Sequence, residues 1–436
     1  MPDQNPVTLF WFRRDLRLHD NAGLYYALKS ANPVLCLFVF DRDILDKLED
    51  RDDARVTFIY NAVIELKKEL EQQGSSLLIK YARPQEAFEE ILNEYNVTRV
   101  YTNRDYEPYA KQRDSNIGEL LQSRGISLKT FKDQIIFERD EVVKDDQKPY
   151  TVFTPYKKRW LRTVNDFYLK SYPTEKYFNN LYSAAPLQAI TLNDMGFVES
   201  AIEFPATEYE HIIDDYARNR DFPAKKGTSH IGIHLRFGTI SIRDAVRAAF
   251  TREQTWLSEL IWREFYMMAL DHFPDTAQHA YRPAFDRIQW RNNEKEFELW
   301  CQGKTGYPLV DAGMRELNAT GFMHNRVRMV AASFMVKHLL IDWRWGEHYF
   351  GRKLLDYEAS TNIGSWQWVA GSGTDVMPYF RIFNPEAQVK KFDPQFEYIK
   401  KWVPEYGTSQ YPKPIIDNPG GKERALKTYR AAVAKV

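Results

Sequence analysis

Short apolar runs alternate with amphipathic stretches from Val7 to about Ile136, an order that predicts a parallel sheet covered by helices. The predicted strands are Val7–Phe12, Val34–Phe40, Leu77–Tyr81, Arg99–Thr102 and Ser127–Phe131. Between them, Ala54–Gln73 and Pro84–Tyr95 carry apolar residues at helical spacing, and the first stops at Gly74. From about 137 to 205 the chain mixes charged runs, short apolar pieces and prolines such as Pro173 and Pro186 without a sustained period, which predicts a long, partly helical connection. From about Glu208 onward the spacing is helical again, punctuated by Gly and Pro. The pattern therefore predicts an α/β domain over 1–136, an interdomain connection over 137–205 and an all-helical domain over 206–436.

Composition narrows the function. A chain of 436 residues is too long for one ordinary core. Its 60 Lys and Arg balance 60 Asp and Glu, so any nucleic-acid site must be a local patch rather than a chain-wide basic character. The two cysteines, Cys36 and Cys301, support neither a disulfide framework nor a zinc or iron–sulfur site, and a reducing cytoplasm is expected. The apolar run Val7–Phe12 is followed at once by Arg13 and Arg14, so neither a signal peptide nor a membrane span is expected. No Gly-x-Gly-x-x-Gly follows the first strand and no Gly-x4-Gly-Lys-Ser/Thr occurs anywhere; the usual dinucleotide and triphosphate cradles are missing.

Aromatic content is high, 15%, and the positions of the rings decide what it means. Within Trp256–Leu270, Glu259, Trp262, Arg263 and Tyr266 fall at i, i+3, i+4 and i+7, one stripe of a helix. That stripe alone equally suits a solvated face with a Glu–Arg pair worth about 0.2–0.5 kcal/mol. Gly321–Met329 opens a second helix, in which Asn325 and Met329 lie one turn apart while Arg326 and Arg328 point elsewhere. The two arginines suit either anion binding near a buried wall or the capping of a solvated helix end. In the segment Asp356–Trp368, Asn362 and Trp366 are four apart and two tryptophans bracket Gln367. Singly these rings suit a core, but rings, an amide and carboxylates crowded around glycines suit a pocket for a planar ligand.

Read together, these segments resemble the class I cyclobutane pyrimidine dimer photolyases of the photolyase and cryptochrome family. The likeness is carried by Phe12-Arg13-Arg14-Asp15-Leu16-Arg17-Leu18-His19-Asp20-Asn21, by Phe153-Thr154-Pro155-Tyr156 and by Glu259 to Tyr266. It continues in Gly306-Tyr307-Pro308, His324 to Met329, and Trp366-Gln367-Trp368 through Tyr379-Phe380-Arg381-Ile382-Phe383-Asn384-Pro385. The resemblance implies an N-terminal Rossmann-like α/β antenna domain and an all-helical FAD-binding domain. It also implies a deoxyribodipyrimidine photo-lyase activity, in which light drives an electron from reduced FAD into a dimer flipped out of the duplex.

The residue roles it implies fall into three groups. FAD would be held by Tyr216, by the turn Thr228, Ser229, His230, Ile231 and Gly232, and by Arg328, Asp356, Tyr357 and Glu358, with Asn362 facing the flavin N5. Glu259 and Asn325, beside Met329, would hydrogen-bond the dimer, and Trp262 and Trp368 would embrace it near Tyr266. Arg220, Arg263, Arg326, Arg381 and Gln388 would lie near the DNA strand as a local cationic rim. Trp366, Trp343 and Trp290 would form the electron-transfer chain that refills the flavin.

The sequence departs from the family pattern in three places. The turn reads His230-Ile231-Gly232-Ile233 where the family usually has Arg-Leu-Ser-Pro, and Glu358 replaces a frequent Asp. Tyr106-Glu107-Pro108-Tyr109-Ala110 lacks the Asn-Glu pair of folate-type antenna sites and is nearer to deazaflavin-binding relatives, so the antenna stays open between deazaflavin, folate and none. Two rival readings share the fold: a blue-light-sensing cryptochrome and a (6-4) photolyase. The latter resembles His-His-Leu-Ala-Arg-His in the second helix, where this chain has Asn325 and Met329 at the inward positions. Expected partners are ultraviolet-damaged DNA and no membrane, for a cytoplasmic monomer.

Overall fold

The computed structural model describes residues 3–434. Five strands, β1 (Asp3–Phe12), β2 (Val34–Asp41), β3 (Leu77–Ala82), β4 (Tyr95–Asn103) and β5 (Ser127–Phe131), form one sheet in the order β3-β2-β1-β4-β5. Every neighbouring pair is parallel, with Phe10 opposite Cys36 on one side and Tyr101 on the other. The interior strand β2 is a continuous apolar run as far as Phe40 because both its faces are covered, and all eight of its residues are buried. Alternation splits β1 between two cores, Phe10 and Phe12 facing one and Leu9 and Trp11 the other.

Helix Ala54–Gln72 starts on the Asp53 side chain, which accepts from Arg55 N, and stops before Gly74 at φ 74°. Helix Pro84–Glu94 ends one residue early because Tyr95 is already extended and opens β4. That strand begins four residues before the predicted Arg99, since pairing with β1 supports Asn96 and Val97 where the local pattern is mostly polar.

The chain divides into two compact units. The first holds the residues up to Glu138 with Val164–Thr207 and Ile231–Ala248; the second holds Arg139–Thr163, Glu208–His230 and the chain from Ala249. In the first unit, Asp133 accepts from Arg17 at 2.8 Å and from Arg243 at 2.8 Å, and Arg243 also reaches Asp20 at 3.0 Å. All four side chains are at most 8% exposed. Burial works to raise the Asp133 pKa, but the two guanidiniums outweigh it and hold the carboxyl below its ordinary value.

The second unit is helical, and its main core packs helices Pro308–Thr320, Asn325–Ser333, Trp343–Lys353 and Ala359–Ala370. The apolar stretch after Val330 is not one regular helix. Its α turns end at Ser333 and a wider π turn, Phe334–His338, follows. That turn carries the buried Lys337, which donates to Ala370 O at 2.9 Å and lies 3.7 Å over the Tyr429 ring.

Candidate functional site

A cavity of about 390 Å³ opens within the helical unit. One wall is helix Gln254–His272, whose Glu253 cap accepts from Thr255 N. Its apolar Leu257, Ile261 and Phe265 go to the interior, which leaves Glu259, Trp262, Arg263 and Tyr266 on the cavity side. Trp262 is stacked on Phe153 at 3.6 Å and 7°, and on Tyr266 at 5.5 Å. Tyr266 fits because residue 364 is glycine: a Cβ there would lie 2.2 Å from its ring. From behind, the Tyr156 hydroxyl and the Trp160 indole donate to Glu264 at 3.3 and 2.6 Å, so the Phe-Thr-Pro-Tyr segment both stacks on the wall and pins it.

The second wall is helix Asn325–Ser333, capped by His324 Nδ1, which accepts from Arg326 N. Asn325, Arg328 and Met329 line the cavity. Arg328 therefore shares the inward face with Asn325 and Met329, at i, i+3 and i+4, where the sequence pattern had turned it away. Arg326 does turn away: it pairs with Asp221 at 2.6 Å and covers the Phe392 ring. The third wall comes from Asp356, Tyr357 and Glu358 and from helix Ala359–Ala370, which adds Asn362, Trp366 and Trp368. Trp366 lies against residue 346, where a Cβ would sit 2.1 Å from the indole, so glycine is needed for that approach.

Three ion pairs border the cavity. Arg263 grips Glu358 through two bonds, at 2.9 and 3.0 Å, and Arg328 meets Asp356 at 2.9 Å. Arg220 donates to Glu259 at 2.5 Å. Burial raises the Glu259 pKa more than Arg220 lowers it, so the acid sits above its ordinary value. Asp356 lines the cavity, and its Oδ1 is buried with no hydrogen-bond partner, an acceptor left over once Oδ2 has taken Arg328.

Asn362 spends both amide hydrogens on residue 347, donating to its backbone oxygen at 3.0 Å and to Oε1 at 2.9 Å. Its Oδ1 is the atom left to accept from another partner. Burial raises the Glu347 pKa, opposed by the Asn362 bond. Neither Glu347 nor Phe153 was singled out as a site residue. A carboxylate one turn after Trp343 was the available signal for Glu347; for Phe153 it was the family motif itself.

The remaining candidates lie outside the cavity. Tyr216 is buried, with the Arg220 guanidinium 5.2 Å over its ring. Thr228 and Ser229 are half-buried, and His230, at φ 55°, stacks on Phe322 at 3.9 Å. Ile231 and Gly232 begin a short helix of the first unit. Trp343 is buried at the start of its helix, and the half-buried Trp290 meets Tyr429 edge-on at 6.0 Å. Trp366 touches Trp300 at 6.2 Å. Arg381 is exposed, and Gln388 is half-buried with Oε1 unpartnered.

These features fit FAD. A planar ligand finds stacked rings and close-packing glycines, the lone Asp356 oxygen suits a ring N–H, and the Asn362 oxygen is a second acceptor. Comparison with known proteins bears on the same residues. Residues 256–410 match the family described as the FAD binding domain of DNA photolyase, and residues 8–176 match the DNA photolyase family. A deoxyribodipyrimidine photo-lyase of Synechococcus sp. is 38% identical, covering 94% of this chain and 93% of that protein. Among solved structures, a bacterial class III photolyase from Agrobacterium tumefaciens superposes with a TM-score of 0.88 at 31% identity, covering 100% of this chain and 99% of that one. An archaeal photolyase from Sulfolobus tokodaii, solved with two FAD molecules, gives 0.84 at 32% identity over 98% of this chain and 100% of that one.

Proposed function

Because the chain belongs to the DNA photolyase family, we propose that it is a deoxyribodipyrimidine photo-lyase, a flavoprotein that uses light to split cyclobutane pyrimidine dimers in DNA. The observation that carries the reading is one cavity bordered both by Asp356 and Asn362, acceptors suited to a flavin, and by Glu259 and Asn325, polar groups suited to a pyrimidine. Reduced and bound there, FAD supplies on excitation the electron that opens the cyclobutane ring.

The protein's share is binding and electrostatics. Asp356, Asn362 and Arg328 hold the ring system, with Tyr357 and Glu358 beside it. Tyr216 and the turn of Thr228, Ser229, His230, Ile231 and Gly232 complete the cofactor site. Asn325 and Glu259 hydrogen-bond the dimer, Met329 fills the space next to them, and Trp262 and Trp368 take its faces, with Tyr266 behind Trp262. Arg220, Arg263, Arg326, Arg381 and Gln388 serve the strand. Trp366, Trp343 and Trp290 carry electrons inward.

The lesion follows from the second wall. Repair of a (6-4) product must move a proton and a hydroxyl group between bases, for which imidazoles are suited. The inward positions here are Asn325, Arg328 and Met329; Arg328 is paired with Asp356, and none of the three is a general acid near neutral pH. A cyclobutane dimer needs only an electron and a stabilised anion, which an amide and an acid provide.

The working form on this reading is a monomer, and light scattering of the purified protein checks it. Among the described residues no helix is long and apolar enough to cross a membrane. The reading itself places the enzyme in the cytoplasm, acting on damaged DNA. The test is direct. Denaturation should release FAD in near-stoichiometric amount and identify any deazaflavin or folate antenna with it. Illuminated, reduced protein should revert a thymine-dimer oligonucleotide and leave a (6-4) oligonucleotide unchanged; repair of the second, or failure on the first, overturns the reading. Restoration of transformation by ultraviolet-damaged plasmid separates it from a purely sensory cryptochrome.

A further inference from the structure

Glu259 stands where a lesion contact is wanted, yet its Oε1 is taken by Arg220 at 2.5 Å. The next residue, Asp221, holds Arg326 at 2.6 Å. Two consecutive residues thus tie down an acid from helix Gln254–His272 and a cation from helix Asn325–Ser333. All four side chains keep contact with water, at 22% and 34% exposure for the first pair and 20% and 38% for the second. The Arg263–Glu358 pair, at 11% and 4%, is closed by comparison. Open pairs can exchange partners at small cost, because water and salt already compete for them.

We propose that DNA exchanges these pairs: backbone phosphates take Arg220 and Arg326, and the released Glu259 takes up one proton from solvent and meets the lesion as a neutral acid. The proposal deepens the reading above and rests on it.

A phosphate accepts from a guanidinium through charge-assisted, often bidentate bonds, and DNA gains further from the counterions it sheds. A carboxylate left beside a bound base without its cation is costly to keep ionised, so it binds a proton instead. The groups facing Glu259 are Arg220 and Lys157, which favour its charge, Asp221, which opposes it, and the rings of Tyr216 and Tyr266. Moving Arg220 to a phosphate removes the larger favourable charge, and drawing Arg326 off Asp221 leaves that acid's opposition uncompensated. Both changes act in one direction. Only the protonated acid can donate to a carbonyl oxygen of the lesion, since a carboxylate accepts and never donates. Arg220 is in this sense a positioning residue, which couples strand contact to the protonation state of its neighbour.

Calorimetry counts the proton. The FAD-loaded full chain is titrated at pH 7 with a duplex carrying one thymine dimer, in buffers of different ionisation enthalpy, and the slope of observed against buffer enthalpy gives the uptake. Uptake of about one proton per site is expected for the parent. Glu259→Gln, close in size and unable to ionise, should bind the same duplex with no uptake. Arg220→Gln should already hold Glu259 protonated when free, so its uptake also vanishes and a carboxylic-acid infrared band appears that the free parent lacks. Retained FAD absorbance shows that both variants are folded. Tight dimer binding by the parent without proton uptake, or uptake that survives in Glu259→Gln, overturns the exchange while leaving the repair function standing. Absence of any preference for the dimer duplex removes the site reading itself, and the exchange with it.

Discussion

The two units use the same residue types to opposite ends. In the α/β unit, Arg17, Arg243, Asp20 and Asp133 close on one another out of contact with water. In the helical unit, Arg220–Glu259 and Arg328–Asp356 stand partly open around a cavity, and Asp356 keeps an oxygen unpartnered. A closed cluster resists the loss of any member, because the remaining charge is stranded in low dielectric. A half-open one tolerates such a loss and gives up a ligand contact instead. Stability and function are thereby assigned to different charges of a single chain.

The sharpest test of that division changes the cavity and leaves the fold alone. Trp366→Phe keeps a ring in the packed position against Gly346 but loses the easily oxidised indole. Flavin photoreduction should disappear, followed by absorbance under steady blue light. Repair by chemically reduced enzyme should persist, and unchanged photoreduction would remove Trp366 from the electron path.

Next in size, Asp133→Ala strands Arg17 and Arg243 and should cost about 3–5 kcal/mol in urea unfolding. The same carboxyl sets an acid limit. Its folded pKa is depressed, so the unfolded chain binds the proton more readily. Its contribution is complete above the unfolded value, about pH 3.9, and is lost as the pH falls through the folded one. Asp133→Asn should therefore flatten the loss of stability on acidification. An unfolding midpoint that does not move in either variant would show that the closed cluster is not structural.

Smaller still, Glu259→Ala should lower dimer repair by about tenfold, the scale of one hydrogen bond with about 1–1.5 kcal/mol at stake. FAD content and the unfolding midpoint should stay where they were, and a matching loss of stability would blur the two kinds of cluster into one. Smallest of all, Arg381→Ala should reduce the salt dependence of DNA binding by about one unit of slope, uniformly across sequences. Salt-independent binding by the parent would argue against a phosphate-facing rim.

Much of this architecture was readable beforehand. Parallel strands buried on both faces give continuous apolar runs, which is why β2 stood out as Val34–Phe40 and proved to end one residue later. The start of β4 was hidden, because Tyr95 to Thr98 is too polar to signal a strand until β1 lies beside it. The stripe of Glu259, Trp262, Arg263 and Tyr266 was visible from spacing alone, since those positions share a face whatever the helix packs against. Glu347 was not visible: its role exists only through Asn362, which approaches it from a different helix.

The sequence by itself determined the strands, the helical faces and, through its motifs, the family and the cofactor. The tertiary structure alone decided which charges meet. Arg220 found Glu259 across 39 residues and Arg263 found Glu358 across 95. Helical period dictates only the neighbours a residue has within its own helix, whereas a partner across two helices depends on how those helices pack, and no local pattern encodes that.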